Sequence, residues 1–146
     1  MRTLLTGLAL LCAGAAAAQQ PREEVERAVR DYVDAFYYGD TAKVHRSIAP
    51  DLVKHGYYRP RDSSTYTLDS MSFRQCISYA ANVAKRGPSP KVATFPKKIE
   101  VYDVLERTAS AKLTAWWGTD YILLSRRGDR WLITHVLWQS PPPANK

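Results

Sequence analysis

The first part of the chain carries apolar residues at helical spacing. Between residues 22 and 38 they recur every three or four positions, while charged residues occupy the opposite side, which predicts an amphipathic helix. Gly39-Asp40 ends this helix, and the Asp40 carboxylate is predicted to cap a short second helix running to about residue 48. The apolar stripe of the first helix consists of Val25, Val29, Tyr32, Val33 and Phe36.

The middle of the chain contains stop signals and one further helix. Residues 49–51 (Ala-Pro-Asp) interrupt the helical pattern, and residues 52–58 are predicted to form a first strand. Residues 59–68 are polar, so we expect a loop there. Helical spacing returns from about residue 69 to residue 86, before a proline-rich link over residues 87–96.

The last third of the chain alternates between apolar and polar residues. Residues 99–107 and 109–117 are predicted to form two strands. Residues 116–138 hold all four tryptophans and predict a hairpin, with its turn at Arg127-Gly128-Asp129. Helices followed by an antiparallel meander indicate an α+β domain. Since the apolar face of a curved sheet must be covered, we expect the N-terminal helices to pack on it and leave a cone-shaped pocket.

Residues 1–18 have the pattern of a secretory signal peptide. Arg2 precedes a short apolar run, and small residues lead to a predicted cleavage after Ala18. The run is shorter than the roughly 20 residues that cross a bilayer. We therefore expect an exported protein, periplasmic or secreted, with one domain over residues 19–140 and a loose tail over residues 141–146. The alternative is a true N-terminal helix.

Removal of the predicted signal peptide changes the inventory of reactive groups. Taking 18 residues from 146 leaves 128, and the net charge falls from +7 to +6 because Arg2 is lost. Cys76 then becomes the only cysteine, which excludes an internal disulfide and a cysteine-based metal site. Its position in a helical pattern favours a packing role.

The chain contains no sequence motif typical of metal, cofactor or nucleic-acid binding. The three histidines, His45, His55 and His135, lack the spacing of metal ligands, so no metal is predicted. No cofactor is predicted either. The excess of basic residues is not accompanied by a nucleic-acid-binding motif, and the expected export argues against such a partner.

Several motifs taken together resemble the NTF2-like superfamily. The order is helix, Gly-Asp, short helix, Pro-Asp-Leu-Val-Lys, helix and a meander, and the resemblance spans about residues 22–139. It is strongest for the group labelled "putative lumazine-binding", also called nuclear transport factor 2 family proteins. The resemblance implies a cone-shaped fold that hosts enzymes, binders and interaction modules. The strongest signature residues are Asp120-Tyr121, Gly128, Trp131, Ile133 and Val136-Leu137-Trp138.

The resemblance to the ketosteroid isomerases of this superfamily implies one candidate chemistry. Those enzymes combine a carboxylate base with a tyrosine and a protonated aspartic acid that hydrogen-bond the enolate oxygen. Tyr32 and Asp120 are similar in position to the tyrosine and the aspartic acid. The base would fall near Gly56, and neighbouring His55 is the remaining candidate, although alternation turns it to the other face. Because the proton-transferring group is missing, catalysis by Tyr32, His55 and Asp120 is the alternative hypothesis.

The primary hypothesis is binding of a small apolar or aromatic ligand in the cone, with homodimer formation through the exposed sheet face. Trp116 and Trp117 are adjacent in a predicted strand, so one should face the core or pocket and the other a dimer contact. A third hypothesis is a pocketless interaction module whose cavity is filled by Trp117, Tyr57 and Phe36. The predicted ligand-binding residues are Tyr32, Phe36, His55, Tyr57, Trp117, Asp120 and Tyr121.

Overall fold

The computed structural model describes residues 10–60 and 63–142, with side chains from residue 20 onward. These residues form three α-helices, six strands and a short 3-10 turn at Val92–Thr94. The helices are α1 (Leu10–Tyr38), α2 (Thr41–Ser47) and α3 (Phe73–Arg86). The strands are β1 (Ile48–Tyr58), β2 (Thr67–Ser70), β3 (Lys98–Val104), β4 (Thr108–Ala115), β5 (Gly118–Arg127) and β6 (Arg130–Gln139).

The six strands form one sheet in the order β2-β1-β6-β5-β4-β3. All neighbouring pairs are antiparallel except β1 and β6, which run parallel. Alternate strand residues such as Leu113, Ile122 and Ile133 are buried in one core together with α1 residues such as Val29. This arrangement confirms the predicted α+β fold, with helices packed on a curved sheet.

The first helix buries the predicted apolar stripe. Val25, Val29, Tyr32 and Val33 are fully buried. The Asp40 carboxylate accepts the Lys43 backbone N–H at 3.1 Å, which confirms the predicted cap of α2. Side-chain ion pairs add to this packing, because Asp34 of α1 accepts Lys43 Nζ at 2.8 Å and Lys97 Nζ at 2.6 Å.

The predicted termini fall largely outside the described residues. α1 begins at Leu10 rather than near residue 22, since the alanine-rich stretch before Gln19 has high helix propensity. Residues 1–9 of the predicted signal peptide lie outside the described residues, and its cleavage stays a prediction. Residues 143–146 of the predicted tail also lie outside them.

The predicted start of the first strand is wrong. β1 begins at Ile48 rather than at residue 52, and Pro50 lies within it. The pairing of β1 with β6 shifts register between Ile48 and Val53. Such an irregularity tolerates a residue that has no N–H to donate, so Pro50 does not stop the strand.

The predicted loop over residues 59–68 is also partly wrong, because Thr67–Ser70 forms β2 at the edge of the sheet. All four β2 residues are exposed, so the strand carries no alternating pattern and depends on its pairing with β1. The helix predicted from residue 69 begins instead at Phe73, because the Ser72 side chain caps it in a capping box.

The C-terminal half contains the predicted strands, but the bounds of β3 and β4 differ from the prediction. β3 and β4 are shorter than the predicted strands 99–107 and 109–117, while the β5–β6 hairpin turns at Gly128-Asp129 as predicted. Trp116 and Trp117 lie in the turn between β4 and β5 and not in a strand. The expectation that they point to opposite faces is therefore wrong, because strand alternation does not operate in a turn.

Candidate functional site

A cavity of about 170 Å³ lies between the helices and the inner face of the sheet. Its walls come from α1, α3, β1, β2, β6 and the β4–β5 turn. Most of its lining is aromatic, and two charged side chains take part. The lining residues are Phe36, Lys54, Asp69, Met71, Tyr79, Trp116, Trp117 and Trp138.

Edge-to-face aromatic contacts fix the walls of the cavity. The Phe36 ring centroid lies 5.3 Å from that of Tyr79 and 5.8 Å from that of Trp117, in T-shaped geometry. Trp116 and Trp117 form a further T-shaped pair at 6.0 Å. Each such pair adds about 1 kcal/mol beyond area burial, so these rings hold one another in place.

Lys54 brings a positive charge to the cavity. In β1 its side chain shares the inner face with Leu52 and Gly56 by strand alternation, and it is only 7% exposed. Its Nζ donates a hydrogen bond to the Tyr32 hydroxyl at 2.5 Å. The same Nζ lies 5.1–6.0 Å from four ring centroids, where cation–π attraction offsets part of the cost of burial. Those rings belong to Tyr32, Phe36, Trp117 and Trp138.

A fully buried carboxylate on β5, that of Asp120, anchors the other end of this network. The Tyr32 hydroxyl donates to Asp120 Oδ2 at 2.7 Å, and the Trp117 indole N–H donates to Oδ1 at 2.8 Å. Burial, and then the negative charge of Asp120, raise the pKa of Tyr32 well above its ordinary value. The tyrosine therefore keeps its proton and connects Lys54 to Asp120.

Four of the predicted site residues come together here. Phe36 and Trp117 line the cavity, while Tyr32 and Asp120 lie behind Lys54 with no exposed surface. Tyr32 and Asp120, 88 residues apart in the chain, are brought together, but the tyrosine donates to the carboxylate, whereas the isomerase resemblance implied that both groups hydrogen-bond a substrate oxygen.

The other three predicted site residues lie on the opposite face of the sheet. His55, Tyr57 and Tyr121 are exposed, because alternation turns them away from the helices. His55 and Tyr121 line a shallow trough there together with Leu123. The structure therefore does not bring these three residues to the cavity.

The position of the isomerase base has no carboxylate. A side chain at Gly56 would overlap the Trp138 indole, which occupies that space. Asp69 of β2 pairs with Gly56 and lines the cavity, but it is exposed and its carboxylate accepts the Ser70 backbone N–H at 2.7 Å. The tyrosine and the aspartate are thus adjacent, but the carboxylate base of the isomerase chemistry has no counterpart at this position.

Sequence reasoning missed several lining residues, with Lys54 the most consequential. Alternation offered a signal for it, since Lys54 lies two residues before Gly56 and so on the same face of β1. Tyr79 and Trp138 carried no pattern that separates a pocket wall from a core aromatic. Asp69 could not be found, because β2 was predicted as loop and helix.

Outside the cavity, the reactive groups of the described residues include the thiol of Cys76. Cys76 is buried in α3, and burial raises the pKa of its thiol to about 11, so it stays protonated at neutral pH. Among the residues that the structure describes, no group of three or more His, Cys, Asp and Glu side chains could hold a metal ion. Over the same residues, no helix has the length and apolar character needed to cross a membrane.

Solved structures similar to this chain share its fold. A protein from Shewanella baltica, described as NTF2-like and of unknown function, has a TM-score of 0.62 at 15% identity, over 85% of this chain and 96% of that one. A similar protein from Silicibacter pomeroyi has a TM-score of 0.62 at 14% identity, over 85% and 98%. An NTF2-like protein with a cystatin-like fold from Novosphingobium aromaticivorans has 0.58 at 12%, over 94% of each chain.

These structural similarities establish the NTF2-like fold, and sequence identities this low leave the activity open. A search of the curated proteins finds no match. The family model described as "Putative lumazine-binding" matches residues 20–139, which is most of the chain and includes every cavity residue. The protein therefore belongs to the "Putative lumazine-binding" family of NTF2-like proteins.

Proposed function

We propose that this protein binds a small planar aromatic ligand in the cavity between its helices and sheet. The observation that carries the proposal is the set of five aromatic side chains around a cavity of about 170 Å³. A cavity of roughly 150 Å³ lined by apolar side chains accommodates a benzene-sized ring. The family description supports a small-molecule ligand, which makes lumazine a natural first compound to test.

Isothermal titration of the full chain with lumazine and with benzamide tests this proposal. Met71→Trp places an indole into the cavity and should weaken binding by at least about tenfold, because it occupies the space of the ligand. Leu68→Trp is the matched control, because Leu68 lies three residues before Met71, is 63% exposed and does not line the cavity. Absence of saturable binding of both compounds to the wild-type protein would refute the proposal.

We further propose that two copies associate through the outer face of the sheet. Apolar side chains there are about half exposed and line a trough of about 460 Å³, a patch typical of an interaction surface. Light scattering should give the mass of two chains for wild type and for the edge control Leu68→Lys, but of one chain for Leu123→Lys. A monomeric wild-type protein would contradict this. The half-exposed apolar side chains that line this trough belong to Val53, Tyr102, Tyr121, Leu123 and Leu137.

Export is the remaining part of the proposed role, and it is supported by the sequence pattern of residues 1–18. Intact-mass analysis of the protein from its own host should show loss of these residues, and fractionation should place the chain outside the cytoplasm. A full-length chain in the cytoplasmic fraction would contradict export.

A further inference from the structure

The Lys54 ammonium has more donors than the described residues offer acceptors for it. An ammonium carries three N–H donors, and among the described residues the Tyr32 hydroxyl is the one acceptor within hydrogen-bond distance. Asp120 does not form an ion pair with Lys54, and its two oxygens are engaged by Tyr32 and by the Trp117 indole. Since Lys54 also lines the cavity, its remaining donors are available to a molecule bound there.

The Lys54 ammonium gives the cavity one position that favours a negative charge. A buried ammonium without a direct counter-ion is costly, and the four surrounding rings offset only part of that cost. The nearest carboxylate on the lining, Asp69, is exposed and is hydrogen-bonded to the Ser70 backbone. Asp69 on the cavity lining and Asp120 behind Tyr32 repel any anion, so an anionic group is favoured only in direct contact with Lys54 Nζ, and a second anionic group away from it is not.

We propose that the cavity recognises an aromatic monoanion, with an aromatic carboxylate as the simplest case. The ring packs against the aromatic walls, and the anionic oxygens accept charge-assisted hydrogen bonds from Lys54 Nζ. This inference rests on the proposed function and specifies the chemical class of the ligand. Tyr32 and Asp120 act as positioning residues, because they hold the ammonium at the cavity without neutralising it directly.

Benzoate and benzamide are the matched probes for this inference. They have nearly the same shape, but only benzoate is charged at neutral pH. Titration calorimetry of the full chain should show benzoate binding at least about tenfold tighter than benzamide, as expected for a charge-assisted hydrogen bond in a largely buried site. Lys54→Met keeps a linear side chain of similar shape and should reduce this ratio to about one, because benzoate loses a charge-assisted hydrogen bond and benzamide only the weaker bond of an uncharged carbonyl. Lys91→Met removes an exposed lysine outside the cavity and should preserve the ratio.

The outcomes separate this inference from the proposed function. Equal affinity for the two probes in the wild-type protein overturns the anion preference while the aromatic site stands. A benzoate preference that survives in folded Lys54→Met also overturns it. Failure of both probes to bind refutes the aromatic site itself. The wild-type comparison decides the matter even if Lys54→Met does not fold.

Discussion

Removal of one buried hydroxyl tests whether the Lys54–Tyr32–Asp120 network stabilises the fold. Tyr32→Phe keeps the ring but deletes the donor to Asp120 at 2.7 Å and the acceptor for Lys54 at 2.5 Å. Asp120 Oδ2 then loses its hydrogen-bond partner in a site with no exposed surface. A hydrogen bond to a charged group contributes about 1.5–3 kcal/mol, so the free energy of unfolding should fall by roughly 3 kcal/mol.

Urea denaturation followed by tryptophan fluorescence measures this change. Tyr121→Phe is the matched control on the same strand as Asp120, because its side chain is 55% exposed and its loss should change stability by less than about 0.5 kcal/mol. The slope of the unfolding curve should stay constant while the midpoint of Tyr32→Phe shifts. Equal midpoints for wild type and Tyr32→Phe would show that the buried network contributes no net stability and would refute the reasoning.

Three other sites give measurable expectations. Burial raises the pKa of Asp34, but hydrogen bonds from two lysine ammoniums outweigh burial and lower this pKa overall. The ionised Asp34 therefore stabilises the fold above about pH 4, and this stabilisation is lost as pH falls through the pKa of the folded state. In Asp34→Asn the free energy of unfolding should fall less steeply with acidification. With a thiol pKa of about 11, Cys76 should resist alkylation at neutral pH until urea unfolds the chain, as peptide mass spectrometry can check. Gly39→Ala forces a side chain into the backbone of α3 at φ +77° and should cost more than about 2 kcal/mol in thermal melts, whereas Gly87→Ala, at φ +81° in open space, should cost less.

The helical part of the fold was predictable because its signals are local. The spacing of Val25, Val29 and Tyr32 identifies the buried face of α1 without knowledge of what covers it. The cap at Asp40 and the turn at Gly128 are likewise properties of a few neighbouring residues. Each of these elements could be placed from its own sequence.

The elements that were mispredicted depend on partners far away in the chain. Thr67–Ser70 is a strand only because β1 offers a free edge, and Pro50 stays inside β1 because the pairing with β6 shifts around it. The turn that places Trp116 and Trp117 beside the same cavity is set by how β4 pairs with β5. Hydrophobic periodicity contains no information about these pairings.

Four of the residues around the candidate site, Tyr32, Phe36, Trp117 and Asp120, could be named from the sequence. The family resemblance pointed to Tyr32 and Asp120, and both belong to the hydrogen-bond network behind Lys54. Lys54 was overlooked because a lysine in a strand is normally a solvent-facing residue, and its burial depends on four aromatic rings from three separate parts of the chain. His55 followed from adjacency in sequence, which strand alternation makes a poor guide to adjacency in space.

The most direct test of the central claim is a crystal structure of the full chain soaked with benzamide. A ligand site in the cavity predicts density for one ring among Phe36, Trp117 and Trp138, with its carbonyl oxygen directed towards Lys54. Density for the ring on the outer face of the sheet, or a cavity closed by Trp117 with the ligand absent, would contradict the account and favour the interaction-module hypothesis.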